Sequence, residues 1–343
     1  MAKKLVAESK QFDKEYYIFA GKLRRFKGKS ILWYIGHPTL LLRNIRDMIY
    51  VFIGLMQSLA ILLYWKPDVV FAKGGFVCLP VGIAAGLRHI PLITHDSDAI
   101  PGLTNRLLAR YSNIQAVGMP AENFYKYYRK SSIVETGVPI ASQFIDMSSK
   151  DKKEVKKDLG YNSNDKLVVF VGGSSGAERL NDAISQISHH LLVEDNLHIV
   201  WATGKQQYDT IKQKFENSPN MVMSEYFTNL AKLYRAADVV VSRAGATSIA
   251  ELAMVGAPTV LVPNPVLTGG HQLINAKAVQ TMNACLVSAE SHNATDSKEL
   301  LDNIKLVLSD APTANRLSNN IKHLAKPDSA KLLAKTVVDL GNI

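Results

Sequence analysis

The sequence predicts a doubly wound α/β protein made of two Rossmann-like domains. Three observations carry this. Short β-rich runs alternate with helical patterns along the chain, glycine-rich loops close several of those runs, and a Pro-, Ser- and Lys-containing stretch near residue 142 divides the two halves. With 343 residues, 47% hydrophobic and 20% charged, the chain is long and apolar enough for two cores.

In the first half the expected strands are YYIF at 16–19, DVVFA at 68–72, PLITH at 91–95, IQAVG at 114–118 and SIVET at 132–136. In the second they are KLVVFVG at 166–172, HIVWAT at 198–203, MVMSEY at 221–226, DVVVS at 238–242, PTVLVP at 258–263 and CLVS at 285–288. Helices fill the gaps. The stretch Met48–Trp65 is almost wholly apolar and close to the ~18–20 residues that span a bilayer, but Gln57 and Ser58 interrupt it and a strand follows with almost no loop. A packed or partly exposed helix is therefore expected, flanked by Arg43, Arg46 and Lys66 and suited to a membrane surface. The linker GVPIASQFIDMSSKDKK sets the expected domains at 1–141, 142–327 and a last helix, 328–343, packing back on the first.

Composition narrows the function. Cys78 and Cys285 are the only cysteines, so neither a disulfide framework nor a Cys-based zinc site is expected, and a reducing cytoplasm fits. The N-terminal MAKKLVAESK lacks the apolar core of a signal peptide. The net charge of +10 collects in KLRRFKGK at 22–29 and KDKKEVKK at 150–157. Each run alone reads as a solvated face, while the sum favours an anionic partner. No nucleic-acid motif with interleaved aromatics accompanies it, leaving the negative inner face of a membrane.

Two loops of the second half have the chemistry of anion sites. In FVGGSSGAERLN, 170–181, a strand ends in glycines and serines before a helix whose Leu180, Ile184, Ile187 and Leu191 share a face. Backbone N–H groups at such a helix start suit a phosphate, although a tight βα turn needs glycine too. In SRAGATSIAEL, 242–252, Gly245 permits close approach of a ligand, and Thr247 and Glu251 share a helix face from which the carboxylate reaches ribose hydroxyls. His271, Gln272 and Asn275 open a further helix and serve either sugar hydroxyls and an acetamido group or the helix cap. His271 lacks an acidic partner at metal-ligand spacing, and Asp96-Ser97-Asp98 is weighed as a chance match to a metal-binding Asp-x-Asp, so no metal and no cofactor are expected.

The ordered set AGKLRRF, KPDVVFAKGGFVCLP, HDSDAIPGLTNRLLAR, GVP, VGGSSGAERLN, SRAGATSIAEL and GGHQLINA resembles the bacterial N-acetylglucosaminyltransferases of peptidoglycan synthesis, in glycosyltransferase family 28. That resemblance implies a GT-B fold, with two parallel-sheet domains facing a cleft, and inverting transfer of GlcNAc from UDP-GlcNAc to the muramoyl C4 hydroxyl of undecaprenyl-linked lipid I. It implies a peripheral protein at the cytoplasmic face of the membrane. By position, Ser174, Ser175 and Gly176 would meet the donor phosphates, Arg243, Gly245, Ala246, Thr247 and Ser248 would line the nucleotide, Phe227 would flank the uracil and Glu251 would hold the ribose. Asp98, His271 and Gln272 would face the donor sugar, and Gly75, Phe76, His95 and Asn105 would lie on the acceptor side.

The chain departs from the family pattern at four places. His95-Asp96-Ser97-Asp98 stands for His-Glu-Gln-Asn, so a donor-facing amide becomes a carboxylate. Val138-Pro139-Ile140-Ala141 stands for Asn-Pro-x-Arg, and Gly270 replaces an acidic residue. The sequence starts after the family's Gly-Gly-Thr-Gly-Gly-His loop, which carries the expected general base, so the first domain is expected to be incomplete and no catalytic base is assigned. Two alternatives follow: a non-catalytic or partner-dependent UDP-sugar-binding chain, or a related glycolipid glycosyltransferase.

Overall fold

The computed structural model describes residues 12–22, 37–173, 177–193, 196–266, 270–291 and 294–342. Packing divides the chain into two units, one of Met1–Thr94, Leu103–Ile114 and Val337–Ile343, the other of His95–Gly102 and Gln115–Thr336.

The first unit opens with a long helix, α1 (Pro38–Trp65). Pro38 stands in its first turn, where a missing N–H costs nothing, and Lys66 closes it at φ 48 with its N–H on the Leu62 carbonyl. The two polar interruptions have uses. Ser58 Oγ donates to the Gly54 carbonyl at 2.6 Å, and Gln57 Oε1 accepts the Phe19 N–H at 2.8 Å. Residues 16–19 were expected as a strand, but they are not one and cross α1 instead: Phe19 packs on Tyr50, Tyr16 on Trp65, and a Cβ on Gly54 would strike the Phe19 carbonyl. Aromatic anchoring to a helix replaces a backbone ladder there.

The inner side of α1 packs on α2 (Cys78–Leu87), with Leu62 against the fully buried Ala84 and Ala85. Gly82 and Gly86 on α2 leave room for Leu108 and Tyr111, at and just beyond α3 (Leu103–Leu108). The outer side of α1 stays apolar: Leu42, Ile45, Met48, Ile49, Phe52 and Met56 are exposed, at spacings of three and four. Only 17% of its most apolar stretch is buried, and among the described residues it is the one helix long and apolar enough to cross a membrane.

A four-stranded sheet runs β1 (Val70–Ala72), β2 (Leu92–Asp96), β3 (Ile114–Val117), β4 (Ile133–Glu135) in that order, with β1–β2 and β3–β4 parallel. The second unit holds a six-stranded sheet in the order β10-β9-β8-β5-β6-β7, every pairing parallel. Its strands are β5 (Lys166–Val171), β6 (Leu197–Ala202), β7 (Met221–Ser224), β8 (Val239–Ser242), β9 (Thr259–Leu261) and β10 (Leu286–Val287). The central runs read as continuous β-branched and aromatic residues because helices cover both faces, and Val168, Phe170, Trp201, Val239 and Val241 are fully buried.

The order of this sheet reverses between β5 and β8. Chain that winds outward one way from β5 and the other way from β8 leaves a crevice at their carboxyl ends, where open parallel sheets take ligands. The last helix runs Ser329–Gly341: Ser329 Oγ donates to the Val138 carbonyl at 3.1 Å, and Gly341 lies against Val69.

Candidate functional site

Two short loops leave β5 and β8 at the switch point. After β5, a Cβ on Gly172 would come within 2.6 Å of the Ala177 Cβ, and Gly173 has φ +92, so both positions of the turn require glycine. Ser174, Ser175 and Gly176, expected at the donor phosphates, lie outside the described residues. The following helix, α4 (Glu178–Leu191), buries the expected Leu180, Ile184, Ile187 and Leu191.

After β8, Gly245 precedes α5 (Ala246–Val255) with no side chain capping it. The first N–H groups of α5 have no intrahelical acceptor, and with the helix dipole they present positive charge to the crevice. Gly245 is extended at φ −75, and a Cβ there would find nothing closer than Ser248 Oγ at 3.8 Å, so the space above it is open. Thr247 is exposed, Ser248 half-buried and Ala246 buried. One turn further, burial pushes the half-buried Glu251 carboxyl up to about 7. Burial, and then the field of Glu251, also raise the pKa of the enclosed Tyr234 phenol.

Arg243 turns inward. It is 7% exposed, and its Nη1 donates to the Val262 carbonyl at 3.0 Å and to Glu290 Oε2 at 2.7 Å. Burial lowers its pKa and Glu290 opposes that shift. Glu290 also takes Arg179, from the first turn of α4, through Nε at 3.0 Å and Nη2 at 2.8 Å. Arg179 Nη2 reaches Asn264 Oδ1 as well, at 2.9 Å. Glu290, Arg179 and Asn264 were not picked out from the sequence. The available signal was a lone acid in CLVSAESHN, the otherwise uncharged run that contains β10.

His271 and Gln272 open a helix, α6 (His271–Thr281), after the left-handed Gly270. Gln272 Oε1 accepts the Asn264 N–H at 2.9 Å, so it braces the loop after β9. His271 Nδ1 lies 3.6 Å from Asp98 Oδ2. The buried Asn275, one turn on, ties the loops after β2 and β8 together: its Oδ1 accepts the Ala99 N–H at 2.8 Å, and its Nδ2 donates to Asp98 Oδ1 at 2.8 Å and the Ala244 carbonyl at 3.0 Å. Asp98, His271 and Asn275 thus form one cluster beside the loop that carries Gly245. Phe227 follows β7, at the sheet's edge, half-buried.

The expected acceptor-side residues fall in both units. His95 is 1% exposed, with Nε2 at 3.1 Å from the Gly137 carbonyl and Nδ1 at 3.4 Å from Ser97 Oγ, so both ring nitrogens are occupied inside the second unit. Asp96, from the same strand, accepts the Tyr128 hydroxyl at 2.6 Å. In the first unit, Asn105 is buried beneath Gly74, whereas Gly75 faces open space and Phe76 is exposed. Among the described residues, no group of three or more His, Cys, Asp or Glu is placed to hold a metal ion.

A parallel sheet with a glycine-lined switch point, an uncapped helix start and a carboxyl one turn in is an arrangement suited to the phosphates and ribose of a nucleotide. The model of the glycosyltransferase family 28 C-terminal domain matches residues 167–333, and that of the N-terminal domain of the same family matches residues 7–116. A UDP-N-acetylglucosamine--N-acetylmuramyl-(pentapeptide) pyrophosphoryl-undecaprenol N-acetylglucosamine transferase of Acetivibrio thermocellus is 32% identical over 292 residues, 84% of this chain and 77% of that protein. The protein of the same name in Caldanaerobacter subterraneus subsp. tengcongensis is 34% identical, over 81% and 76% of the two chains. The chain belongs to this transferase family, within glycosyltransferase family 28. The crystal structure of Acinetobacter baumannii MurG shares the fold at a TM-score of 0.72 and 20% identity, over 99% of this chain and 88% of that one. The calicheamicin glycosyltransferase CalG4 shares it at 0.62 and 12% identity, over 94% and 85%.

Proposed function

We propose that this chain moves GlcNAc from UDP-GlcNAc to the muramoyl C4 hydroxyl of undecaprenyl-pyrophosphoryl-MurNAc-pentapeptide, with inversion, making lipid II from lipid I. The observation that carries the reading is the switch-point crevice, where the open N–H groups at the start of α5 stand one turn from Glu251, in a chain whose relatives bear that transferase's name. In the reaction the acceptor oxygen bonds to C1 of GlcNAc as the C1–O bond to the diphosphate breaks, the electron pair leaves with UDP, and the hydroxyl proton passes to a base or to water. Negative charge grows on the leaving phosphate. Helix N–H groups fixed beforehand stabilise it without reorganising, and removing one such donor in comparable sites costs about 10²–10³ in rate.

In this reading residues 1–141 serve the acceptor and 142–327 the donor. Ser174 to Gly176 contact the diphosphate, Gly245 to Ser248 and Phe227 the nucleoside, Glu251 the ribose, and Asp98, His271 and Gln272 the sugar. Gly75, Phe76, His95 and Asn105 belong to the acceptor side, with the buried His95 and Asn105 supporting the surface rather than forming it. The transfer runs without a metal or other cofactor, because helix dipole and arginine charge face the diphosphate. The protein works at the cytoplasmic face of the membrane, and the exposed apolar side of α1, with Arg43 beside it, rests on the anionic bilayer that holds the acceptor. Nucleic acid is no partner in this scheme.

Single-turnover transfer of labelled GlcNAc from UDP-GlcNAc to a lipid I analogue, with and without EDTA, tests the proposal. Product that carries the label in a β-linked disaccharide and forms equally in EDTA supports it. UDP-GlcNAc binding without transfer would instead favour a sugar-nucleotide-binding role.

A further inference from the structure

Glu290 is the most heavily used buried carboxylate near the switch point. Its side chain has no exposed surface. Oε1 takes both Nε and Nη2 of Arg179, while Oε2 takes Arg243 Nη1 and the Thr295 hydroxyl, each at 2.7 Å. Those partners come from different parts of the sheet: Arg179 from the helix after β5, Arg243 from the loop after β8, and Thr295 from the bridge that closes the segment after β10. Arg243 Nη1 and Arg179 Nη2 continue to the Val262 carbonyl and Asn264, past the end of β9.

One buried carboxylate holds two guanidinium groups in a place where an unpaired ion is costly. Both internal bonds of Arg243 leave from Nη1, and its Nε and Nη2 have no hydrogen-bond partner among the described residues. A planar guanidinium held by one nitrogen presents the other two as a fork, the arrangement that suits phosphate oxygens.

We infer that Glu290 is a positioning residue for the donor: it clamps Arg243 through Nη1, with Arg179 beside it, so that the free Nε–Nη2 edge of Arg243 is the one offered to the UDP diphosphate. This rests on the reading that the switch-point crevice takes UDP-GlcNAc. Glu290 touches no substrate itself. Its effect falls on donor binding and leaves the acceptor untouched.

The test compares Glu290→Gln with the unmodified chain by calorimetry with UDP and by steady-state transfer. Glutamine keeps the size but turns an NH₂ group toward one of the arginines. The expected result is a UDP dissociation constant and a UDP-GlcNAc KM raised about tenfold or more, a lipid I analogue KM within about twofold, and partial recovery in Glu290→Asp. A general loss of packing would move both KM values or neither. A folded Glu290→Gln chain with unchanged donor constants overturns the inference. Should that variant not fold, Glu290→Asp keeps the charge but withdraws it from the two arginines: a weaker UDP affinity with an unchanged acceptor KM supports the inference and an unchanged UDP affinity overturns it. Absence of UDP binding by the unmodified chain would overturn the donor reading along with it, whereas binding that Glu290→Gln leaves unchanged overturns the positioning role alone.

Discussion

Asn275 and Asp98, 177 residues apart in sequence, meet in a 2.8 Å hydrogen bond in which the amide donates to the carboxylate. The same amide fixes the Ala99 N–H and the Ala244 carbonyl, so the loop after β2 is attached to the loop that opens α5 through one buried side chain. Asp98→Asn preserves an accepting oxygen. It should change stability by less than about 0.5 kcal/mol. Asn275→Ala strands the Ala99 N–H and should cost about 1–3 kcal/mol. Thermal melting of both variants decides it, and a large loss in Asp98→Asn would mean that charge, not the acceptor, holds the loop.

Gly245 and Gly173 are both loop glycines, but only one is needed by the backbone. Gly173 sits at φ +92, and alanine there should destabilise the chain by about 1–2 kcal/mol. Gly245 is extended with room for a methyl group, so Gly245→Ala should fold with unchanged or slightly higher stability. If the glycine is there to let a nucleotide approach the backbone, UDP affinity should nevertheless fall about tenfold, which is about 1.4 kcal/mol. A Gly245→Ala chain that binds UDP normally would remove Gly245 from the site.

The second sheet was legible because each of its strands is an apolar run bounded by turn residues, and a parallel sheet covered on both faces demands such runs. YYIF at 16–19 carries the same composition, and there the rule fails. Its aromatics pair with Tyr50 and Trp65 on a helix, a tertiary partner that local pattern cannot reveal. Thr247 and Glu251 were legible by helical spacing. Glu290 was not, since its importance lies in collecting Arg179 and Arg243 from 111 and 47 residues away. Asn275 was weighed as a sugar contact, yet its hydrogen bonds bind loops of the protein.

The outer face of α1 offers a separable test. Ile49 and Phe52 are 53% and 62% exposed, so replacing both by glutamate removes little packing and should leave the fold intact. Burying two such side chains in a bilayer interface stabilises by roughly 1.5–3 kcal/mol each. The double variant should therefore bind vesicles containing phosphatidylglycerol at least about tenfold more weakly, while its rate on a water-soluble lipid I analogue stays the same. Sedimentation with vesicles measures the first and transfer in detergent-free buffer the second. Unchanged vesicle binding would assign the membrane contact to another surface.

If Glu251 holds the ribose, donor binding is sensitive to pH, with a definite sign. Its carboxyl titrates at about 7 in the folded chain, because burial disfavours the charged form, against about 4.5 for the ordinary group. Between those values the folded state holds a proton that the unfolded chain has lost. Stability therefore falls as pH rises through this window and levels off above about 7, by roughly 1–3 kcal/mol in all. Glu251→Gln should flatten that slope and be at least as stable at pH 8. Ligand binding runs the other way. Only the ionised carboxylate accepts hydrogen bonds from both ribose hydroxyls, so UDP affinity should rise up to about tenfold from pH 6 to pH 8, the gain that follows from freeing a group with a pKa near 7. The glutamine variant should bind weakly at both. Calorimetry across that range, on protein whose melting has been followed at the same pH values, separates the two effects. A UDP affinity independent of pH would take the ribose away from Glu251.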